Sequence, residues 1–262
     1  MTSFVELTGV GKTYQEPHGR AVIVENFDLN IAKGESVSLL GGSGCGKSTI
    51  LTMVAGLTAI TDGGILVDGH GVQGPGPDRR VIFSSPGLLP WMTVFDNVML
   101  SVRQACPEES VEQWRASADD YLVQLGLTAT RDRKAMTLST AAQQRVGIAR
   151  SLALNPKILL LDDPFDQLDS KARRELQDVL LDLQGRHRLT TLMITRDVEE
   201  ALILSDRVVL MTHAPKATVG RIIDVPFARP RSRTALMKDA RYLELRQQIK
   251  AFLDEEERNC AA

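Results

Sequence analysis

Residues 41–49 read Gly41-Gly42-Ser43-Gly44-Cys45-Gly46-Lys47-Ser48-Thr49. This run contains the pattern G-x-x-x-x-G-K-[ST], in which glycines let backbone N–H groups approach phosphate oxygens without a Cβ in the way. Residues 35–40 predict a strand before it, and residues 50–56 predict a helix after it, with the positive end of the helix facing the loop. The sequence therefore predicts a phosphate-binding loop, in which Lys47 reaches the β- and γ-phosphates of a nucleotide and the Ser48 hydroxyl binds Mg²⁺. The alternative is a glycine-rich turn with a chance lysine, which does not require the flanking strand and helix.

Composition limits the classes of protein to which the chain can belong. With 262 residues, 43% of them hydrophobic and 24% charged, it can bury the core of one large domain or two small ones. A net charge of −2 gives no bulk attraction to nucleic acid, so we expect no nucleic-acid partner. The three cysteines have neither metal-ligand nor redox spacing, which favours a reducing compartment. No apolar run approaches the ~18 residues of a membrane span, so we expect any membrane association to be peripheral.

A second acidic site follows another apolar run. Residues 157–161 are typical of a buried parallel strand, and Asp162 lies at its carboxyl end. The Asp162 carboxylate is a hard oxygen ligand that suits Mg²⁺, bound directly or through water. The alternative is that Asp162-Asp163-Pro164 only forms a turn, since these residues are also good turn formers. The phosphate-binding loop favours the Mg²⁺ role.

The remaining patterns predict an α/β core with additions. Three short alternating runs within residues 3–33 predict antiparallel strands. Residues 86–150 carry helical spacing, which predicts a helical insertion in the core. Arg229, Arg231 and Arg233 predict a solvated, charged linker, and contact with lipid headgroups is the alternative. The helix predicted after this linker has one apolar face, formed by Leu236, Tyr242, Leu245, Ile249 and Phe252.

With these motifs the chain resembles the ATP-binding subunit of an ABC transporter over nearly all of its length. The resemblance implies an α/β fold of the ABC ATPase type: a P-loop NTPase core with a mostly parallel sheet, an N-terminal antiparallel β-subdomain and a helical insertion. It implies a nucleotide-binding domain at residues 1–228, with its helical subdomain at about 86–150, and a linker and amphipathic helix at 229–262. The implied cofactors are ATP and Mg²⁺.

The resemblance also implies a role for each motif. Tyr14 would stack on the adenine ring, residues 41–49 would bind the phosphates, and Ser48 and Asp162 would bind Mg²⁺. Asp169 lies in the loop that contacts the opposite subunit in this family. The family signature, which meets the γ-phosphate held by that subunit, corresponds here to Ser139, Thr140, Ala141 and Ala142.

The signature is the first of four departures from the family pattern. The family reads Leu-Ser-Gly-Gly-Gln, whereas this chain reads Leu138-Ser139-Thr140-Ala141-Ala142. The side chains of Thr140 and Ala141 would hinder the close approach that glycines permit. The helix that follows should survive, because Ser139 or Thr140 can cap it and Thr140-x-x-Gln143 fits a capping box.

The other three departures fall on catalytic positions. Ser84 stands where the family has a glutamine that reaches Mg²⁺ and the attacking water, and a serine is too short for either. Asp163 replaces the catalytic glutamate and loses one methylene of reach. Arg196 replaces a histidine and, because it stays protonated, cannot exchange a proton. We therefore expect ATP binding to be retained and hydrolysis to be impaired.

Other interpretations remain open. One alternative is a regulatory or structural subunit that binds nucleotide without hydrolysing it. Another is an active ATPase in which Asp163 and Arg196 act as a substitute pair. An arginine directed at a γ-phosphate does stabilise transition-state charge in other nucleotide hydrolases. A third interpretation, an ATP-binding protein without a transporter, conflicts with residues 88–97, whose exposed apolar groups need a partner.

Two stretches narrow the resemblance to one branch. Residues 88–97 are similar to importers of nitrate, cyanate, taurine and sulfonates. Residues 214–216 and 220–231 are similar to the nitrate, bicarbonate and cyanate branch. The implied function is import of nitrate or a related small anion, with dimer closure on ATP coupled to a membrane permease. In the first stretch, Trp91 is expected to contact that permease rather than to lie in the core.

The resemblance also implies the partners and the location. A heterodimer with a second ATP-binding subunit is favoured, because in a homodimer both nucleotide sites would carry all four departures. A periplasmic binding protein would act indirectly through the permease subunits. The implied location is peripheral, at the cytoplasmic face of the bacterial inner (plasma) membrane.

Overall fold

In the computed structural model, which describes residues 3–17, 19–229 and 231–261, the chain divides into two units. Unit 1 comprises Met1–Gly76 and Leu181–Ala262, and unit 2 comprises Pro77–Leu180. The strands in chain order are β1 (Ser3–Glu16), β2 (Gly19–Ala32), β3 (Ser36–Leu40), β4 (Asp62–Val67), β5 (His70–Gly71), β6 (Arg79–Phe83), β7 (Ile158–Asp162), β8 (Thr190–Ile194), β9 (Arg207–Met211) and β10 (Val219–Asp224). The helices are α1 (Lys47–Val54), α2 (Val94–Ala105), α3 (Val111–Gln124), α4 (Thr140–Leu152), α5 (Ser170–His187), α6 (Val198–Leu204), α7 (Arg233–Leu236) and α8 (Ala240–Ala261).

Unit 1 begins with an antiparallel sheet in the order β2-β1-β4-β5. The three short strands expected within residues 3–33 are in fact two long ones, each interrupted by shifts of register. Alternating apolar runs do not show where a strand merely bulges and where it ends, because a bulge changes the pattern without ending the pairing. Tyr14 therefore lies within β1.

The second sheet of unit 1 carries the phosphate-binding loop. Its strand order is β10-β9-β3-β8, with β3 parallel to both β8 and β9 and with β10 antiparallel to β9. Every residue of β3 and of β8 is buried, as expected for parallel strands covered on both faces. The antiparallel strand β10 was not predicted, because its residues are mostly exposed and lack a continuous apolar run.

Unit 2 contains one parallel strand pair and a group of helices. Strand β6 pairs in parallel with β7, and Phe83 lies opposite Asp162 in their register. Helix α2 begins after Thr93, whose hydroxyl accepts a hydrogen bond from the Asp96 amide, and α3 begins with a capping box between Ser110 and Gln113. The helical spacing of residues 86–150 thus corresponds to α2, α3 and most of α4.

The C-terminal region departs from prediction in two ways. The sequence predicts a single amphipathic helix, but the structure has two. Leu236 is the last residue of α7, whereas Tyr242 and Ile249 are buried residues of α8. Arg229 and Arg231 do not form a solvated linker, because both pair with Asp206 and the Arg231 side chain is only 1% exposed. Between them, Pro230 lies outside the described residues. Among the described helices, none is long and apolar enough to cross a membrane.

Candidate functional site

The phosphate-binding loop connects β3 to α1 within unit 1. Lys47 is almost fully buried, and its ammonium group donates hydrogen bonds to the carbonyl oxygens of Gly41 at 2.8 Å and Gly42 at 2.7 Å. It also lies 3.5 Å from the Cys45 sulfur. The loop thus wraps around one positive charge at the first residue of α1, where the helix dipole adds further positive potential.

Two glycines have the left-handed backbone that this wrapping requires. Gly44 has φ +79°, and Gly46, which precedes α1, has φ +92°. A Cβ added to Gly46 would lie 2.9 Å from the Val24 side chain, whereas a Cβ added to Gly42 or Gly44 would meet nothing within 4 Å. The loop is therefore packed against the protein on one side and open on the other, and this open cradle fits a chain of phosphates.

Arg196 lies at the same edge of the sheet as this loop. Leu39 of β3 is paired with Ile194 of β8, so the residues that follow each strand emerge side by side. The Thr195 hydroxyl donates to Glu200 at 2.6 Å and accepts from the Asp197 amide at 3.0 Å, which fixes the turn into α6. The side chain of Arg196 is exposed between these two anchored residues. Unit 1 thus brings together the phosphate-binding loop and one of the four altered positions.

Unit 2 brings Ser84 together with Asp162 and Asp163. Because Phe83 lies opposite Asp162 in parallel strands about 4.8 Å apart, Ser84 and Asp163 are the next residues to emerge from the same edge. Asp163 has a left-handed backbone, φ +44°, which aspartate tolerates better than most residues. Asp163 and Arg196 belong to different units, so their pairing stays a prediction.

Helix α4 contacts residues 83–87, the segment around Ser84, and this contact was not predicted. Gln144 is buried, and its side-chain amide donates to the Phe83 carbonyl at 2.9 Å. Three residues further along α4, a Cβ on Gly147 would lie 2.6 Å from the Pro86 Cβ. Arg150 donates to the Gly87 carbonyl at 2.9 Å, and burial lowers the pKa of its guanidinium. The one sequence signal for this contact is a glycine inside a helix, which usually marks a close approach.

The altered signature lies at the start of α4. Ser139 is the capping residue and accepts, at 3.4 Å, from the Ala142 amide. The capping box predicted for Thr140 is wrong, because Thr140 is already the first residue of the helix and the Gln143 side chain donates to the Leu138 carbonyl. Thr140 and Ala141 line an open cavity of about 520 Å³ with Leu168 and Asp169.

Three further residues have well-defined surroundings. The Asp169 carboxylate accepts from the amides of Lys171 and Ala172, both at 2.9 Å, and so stabilises the start of α5. Tyr14 is exposed, with the Lys12 ammonium 4.8 Å from its ring centroid. Trp91 is 65% exposed, which excludes the alternative that it is a core residue.

The donor set for a metal ion is small. Within the described ranges 3–17, 19–229 and 231–261, no group of three or more histidine, cysteine, aspartate or glutamate residues could hold a metal ion. The predicted ligands are one hydroxyl, from Ser48, and one carboxylate, from Asp162. Both are hard oxygen donors of the kind that Mg²⁺ uses when phosphates and water complete its coordination. The chemistry of each donor fits Mg²⁺. Because Ser48 belongs to unit 1 and Asp162 to unit 2, their joint binding of one ion stays a prediction.

Comparison with known proteins identifies relatives along the whole chain. Residues 24–166 match the family model described as ABC transporter. The chain is 44% identical over 252 residues to the nitrate import ATP-binding protein NrtD of Synechococcus elongatus, covering 96% of this chain and 92% of that protein. It is 43% identical to the bicarbonate transport ATP-binding protein CmpD of a Synechocystis species, covering 96% and 89%.

A solved structure shares the fold. It is a dimer of an ATP-binding cassette in a post-hydrolysis state, bound to ADP and Pi, and it superposes with a TM-score of 0.73 at 30% identity. The match covers 86% of this chain and all of that one. The α/β fold expected from the sequence, with its antiparallel N-terminal sheet and its helices, is confirmed.

Proposed function

Because this chain belongs to the ABC transporter family, we propose that it is the ATP-binding subunit of an importer for a small inorganic anion, with nitrate as the first candidate. The observation that carries the proposal is the phosphate-binding loop, which is intact in sequence and wraps around the buried Lys47 ammonium. The choice of anion is supported by relatives named for nitrate and bicarbonate import that align over almost the full chain.

The nucleotide would be held mainly by unit 1. The open side of the loop at Gly42 and Gly44 would receive the phosphates, Lys47 would turn its ammonium towards them, and Tyr14 would stack on the adenine ring. Ser48 and Asp162 would bind Mg²⁺, which, when bound, neutralises charge on the β- and γ-phosphates. Binding needs only these groups, and none of them departs from the family pattern.

Hydrolysis would be impaired because each altered position removes a different contribution. Ser84 is too short to reach a water molecule at the γ-phosphate, and Asp163 holds its carboxylate one methylene further back than a glutamate. A misplacement of about 1 Å in a reacting group costs on the order of 10²-fold in rate. Thr140 and Ala141 place side chains on the surface that would meet the nucleotide of the opposite subunit.

The altered catalytic positions favour an assembly with a second, different ATP-binding chain. A second ATP-binding chain with an unaltered signature and glutamate would give a heterodimer with better catalytic groups than two copies of this chain. The permease subunits would contact the exposed Trp91, and a periplasmic binding protein would deliver the anion to them. In this assembly the chain would lie at the cytoplasmic face of the membrane, and residues 86–150 would form its helical subdomain.

The proposal is tested by anion uptake. Deletion of the gene for this chain should abolish uptake of labelled nitrate by cells that depend on the transporter, because closure of the dimer on ATP drives the permease. The wild-type chain should restore uptake, and the Lys47→Ala variant, expressed to the same level, should not. Undiminished uptake of nitrate, bicarbonate and cyanate in the deletion strain would contradict the proposed function.

A further inference from the structure

A large cationic cavity lies in unit 1 away from the phosphate-binding loop. Its volume is about 820 Å³, within the usual range of small-molecule sites. Among the described residues that line it, five are lysine or arginine and one, Asp182, carries a carboxylate. These cationic residues are Lys33, Arg186, Arg188, Arg229 and Arg231.

Strand register places this cavity at the opposite end of the sheet from the loop. Gly34 and Arg188, which line the cavity, lie just before β3 and β8, whereas the phosphate-binding loop follows β3. The Gly34 amide donates to the Thr190 hydroxyl at 2.9 Å, which joins the two turns. Because β3 has five residues of about 3.3 Å each, the two sites are roughly 16 Å apart along the strand.

Internal ion pairs do not account for all of this positive charge. Arg186 pairs with Asp182 one turn before it and complements the C-terminal end of α5. Arg229 and Arg231 share one carboxylate, that of Asp206. Lys33 and Arg188 are exposed at the ends of two turns, and among the described residues neither has an acidic partner within salt-bridge distance.

The floor of the cavity is rigid and polar. The Arg231 guanidinium is held by the carbonyl oxygens of Phe227 and Ile203, each at 3.1 Å, as well as by Asp206. Gln184 is 3% exposed; its amide nitrogen donates to the Thr191 hydroxyl at 3.4 Å, and its side-chain oxygen has no hydrogen-bond partner in the described part of the chain. Exchanging the amide oxygen and nitrogen keeps the contact with Thr191, whose hydroxyl can donate as well as accept, and leaves the NH₂ group as a donor suited to an anion.

From this arrangement we propose that unit 1 has a second anion-binding site, which takes a phosphate-bearing anion at the edge of the sheet opposite to the phosphate-binding loop. Arginine suits this class of ligand because its planar fork of N–H groups matches phosphate oxygens two at a time. Lys33 and Arg188 make the contacts at the rim, and Arg231 holds the fixed charge at the floor. The site goes beyond the proposed function and does not depend on it.

The test uses the full chain carrying Lys47→Ala, which disables the phosphate-binding loop, and inorganic pyrophosphate as the probe. Calorimetric titration should still detect binding. Adding Lys33→Gln and Arg188→Asn should weaken it about tenfold or more, since two charge-assisted contacts are lost. Asparagine is chosen at position 188 because Arg188 has φ +46° and asparagine tolerates this backbone.

The control is the pair Lys238→Gln and Lys250→Gln, which removes the same charge from exposed positions outside the cavity and should leave pyrophosphate binding unchanged. Vesicles of phosphatidylglycerol distinguish the two sources of phosphate. If the chain binds these vesicles but not pyrophosphate, and if Lys33→Gln with Arg188→Asn abolishes the vesicle binding, the ligand is a lipid headgroup. Absence of both kinds of binding, or equal losses in the test and control pairs, would overturn the proposal while leaving the proposed function intact.

Discussion

Among single residues, the phosphate-binding loop of unit 1 matches the family pattern, whereas Arg196 of unit 1 and the altered positions of unit 2 depart from it. Lys47 lies within hydrogen-bond distance of two loop carbonyls, so exchanging those carbonyls for phosphate oxygens would need only a small movement. Asp163 and Ser84 emerge from adjacent strands, so their side-chain lengths decide what they can reach. We expect one missing methylene at Asp163 to lower the rate of hydrolysis without changing the fold.

Restoring the family residues should therefore raise the rate of ATP hydrolysis. The combined variant carries Ser84→Gln, Asp163→Glu, Arg196→His, Thr140→Gly and Ala141→Gly. Since these groups act as a unit, single changes should have little effect and the combination should gain on the order of 10²-fold. Steady-state phosphate release by the full transporter, with each variant in the same partner background, measures this.

The same measurement distinguishes impaired hydrolysis from catalysis by a substitute pair of Asp163 and Arg196. If Asp163 and Arg196 work together in place of glutamate and histidine, Arg196→His alone lowers a rate that is already present. We expect no such drop, because a pair formed by these two residues leaves Ser84 and the altered signature unexplained. A substantial wild-type rate that falls with Arg196→His would contradict impaired hydrolysis.

At the scale of elements, α4 connects the altered signature at its first turn to the segment after β6. Gln144, Gly147 and Arg150 lie along the side of the helix that faces this segment and contact Phe83, Pro86 and Gly87 in order. The same helix therefore holds both the signature, at its first turn, and the segment that contains Ser84, one residue beyond Phe83. This contact explains why the helix keeps a glycine despite its cost to helix stability.

Gly147→Ala should destabilise the protein. Its Cβ would lie 2.6 Å from that of Pro86, a separation that requires the helix or the segment to shift, and such overpacking costs about 1–3 kcal/mol. The matched control is Gly185→Ala in α5, where an added Cβ meets nothing within 4 Å and where alanine should gain about 0.5–1 kcal/mol. Urea unfolding measures both, and a Gly147→Ala variant as stable as Gly185→Ala would show that α4 does not pack closely on Pro86.

The elements also show which parts of the structure the sequence could predict. The phosphate-binding loop was predictable because its glycines, lysine and flanking strand and helix lie within about twenty consecutive residues. The contact of Gln144 with Phe83 spans 61 residues, and that of Arg231 with Asp206 spans 25. Nothing in the local pattern specifies such partners, so Arg231 was mistaken for part of a solvated linker. The break between α7 and α8 escaped prediction because the apolar spacing continues across it.

At the scale of the whole molecule, the altered signature should decide how the chain dimerises. The isolated chain should remain monomeric with Mg-ATP, because the side chains of Thr140 and Ala141 hinder approach to the nucleotide of a second copy. Thr140→Gly with Ala141→Gly should dimerise when ATP is added, and the further change Lys47→Ala should abolish that dimer. Sedimentation velocity measures the dimerisation of all three proteins. If the wild-type chain dimerises with ATP as readily as the Thr140→Gly, Ala141→Gly variant, the preference for a heterodimer is contradicted.

The chain should bind Mg-ATP through the loop around Lys47, and calorimetric titration of Mg-ATP measures this binding. Wild type and the exposed control Lys250→Gln should bind equally, whereas Lys47→Ala should lose about 100-fold or more in affinity, since several charge-assisted contacts disappear together. Circular dichroism establishes that all three proteins are folded. Equal affinity of folded Lys47→Ala and wild type for ATP would contradict the account.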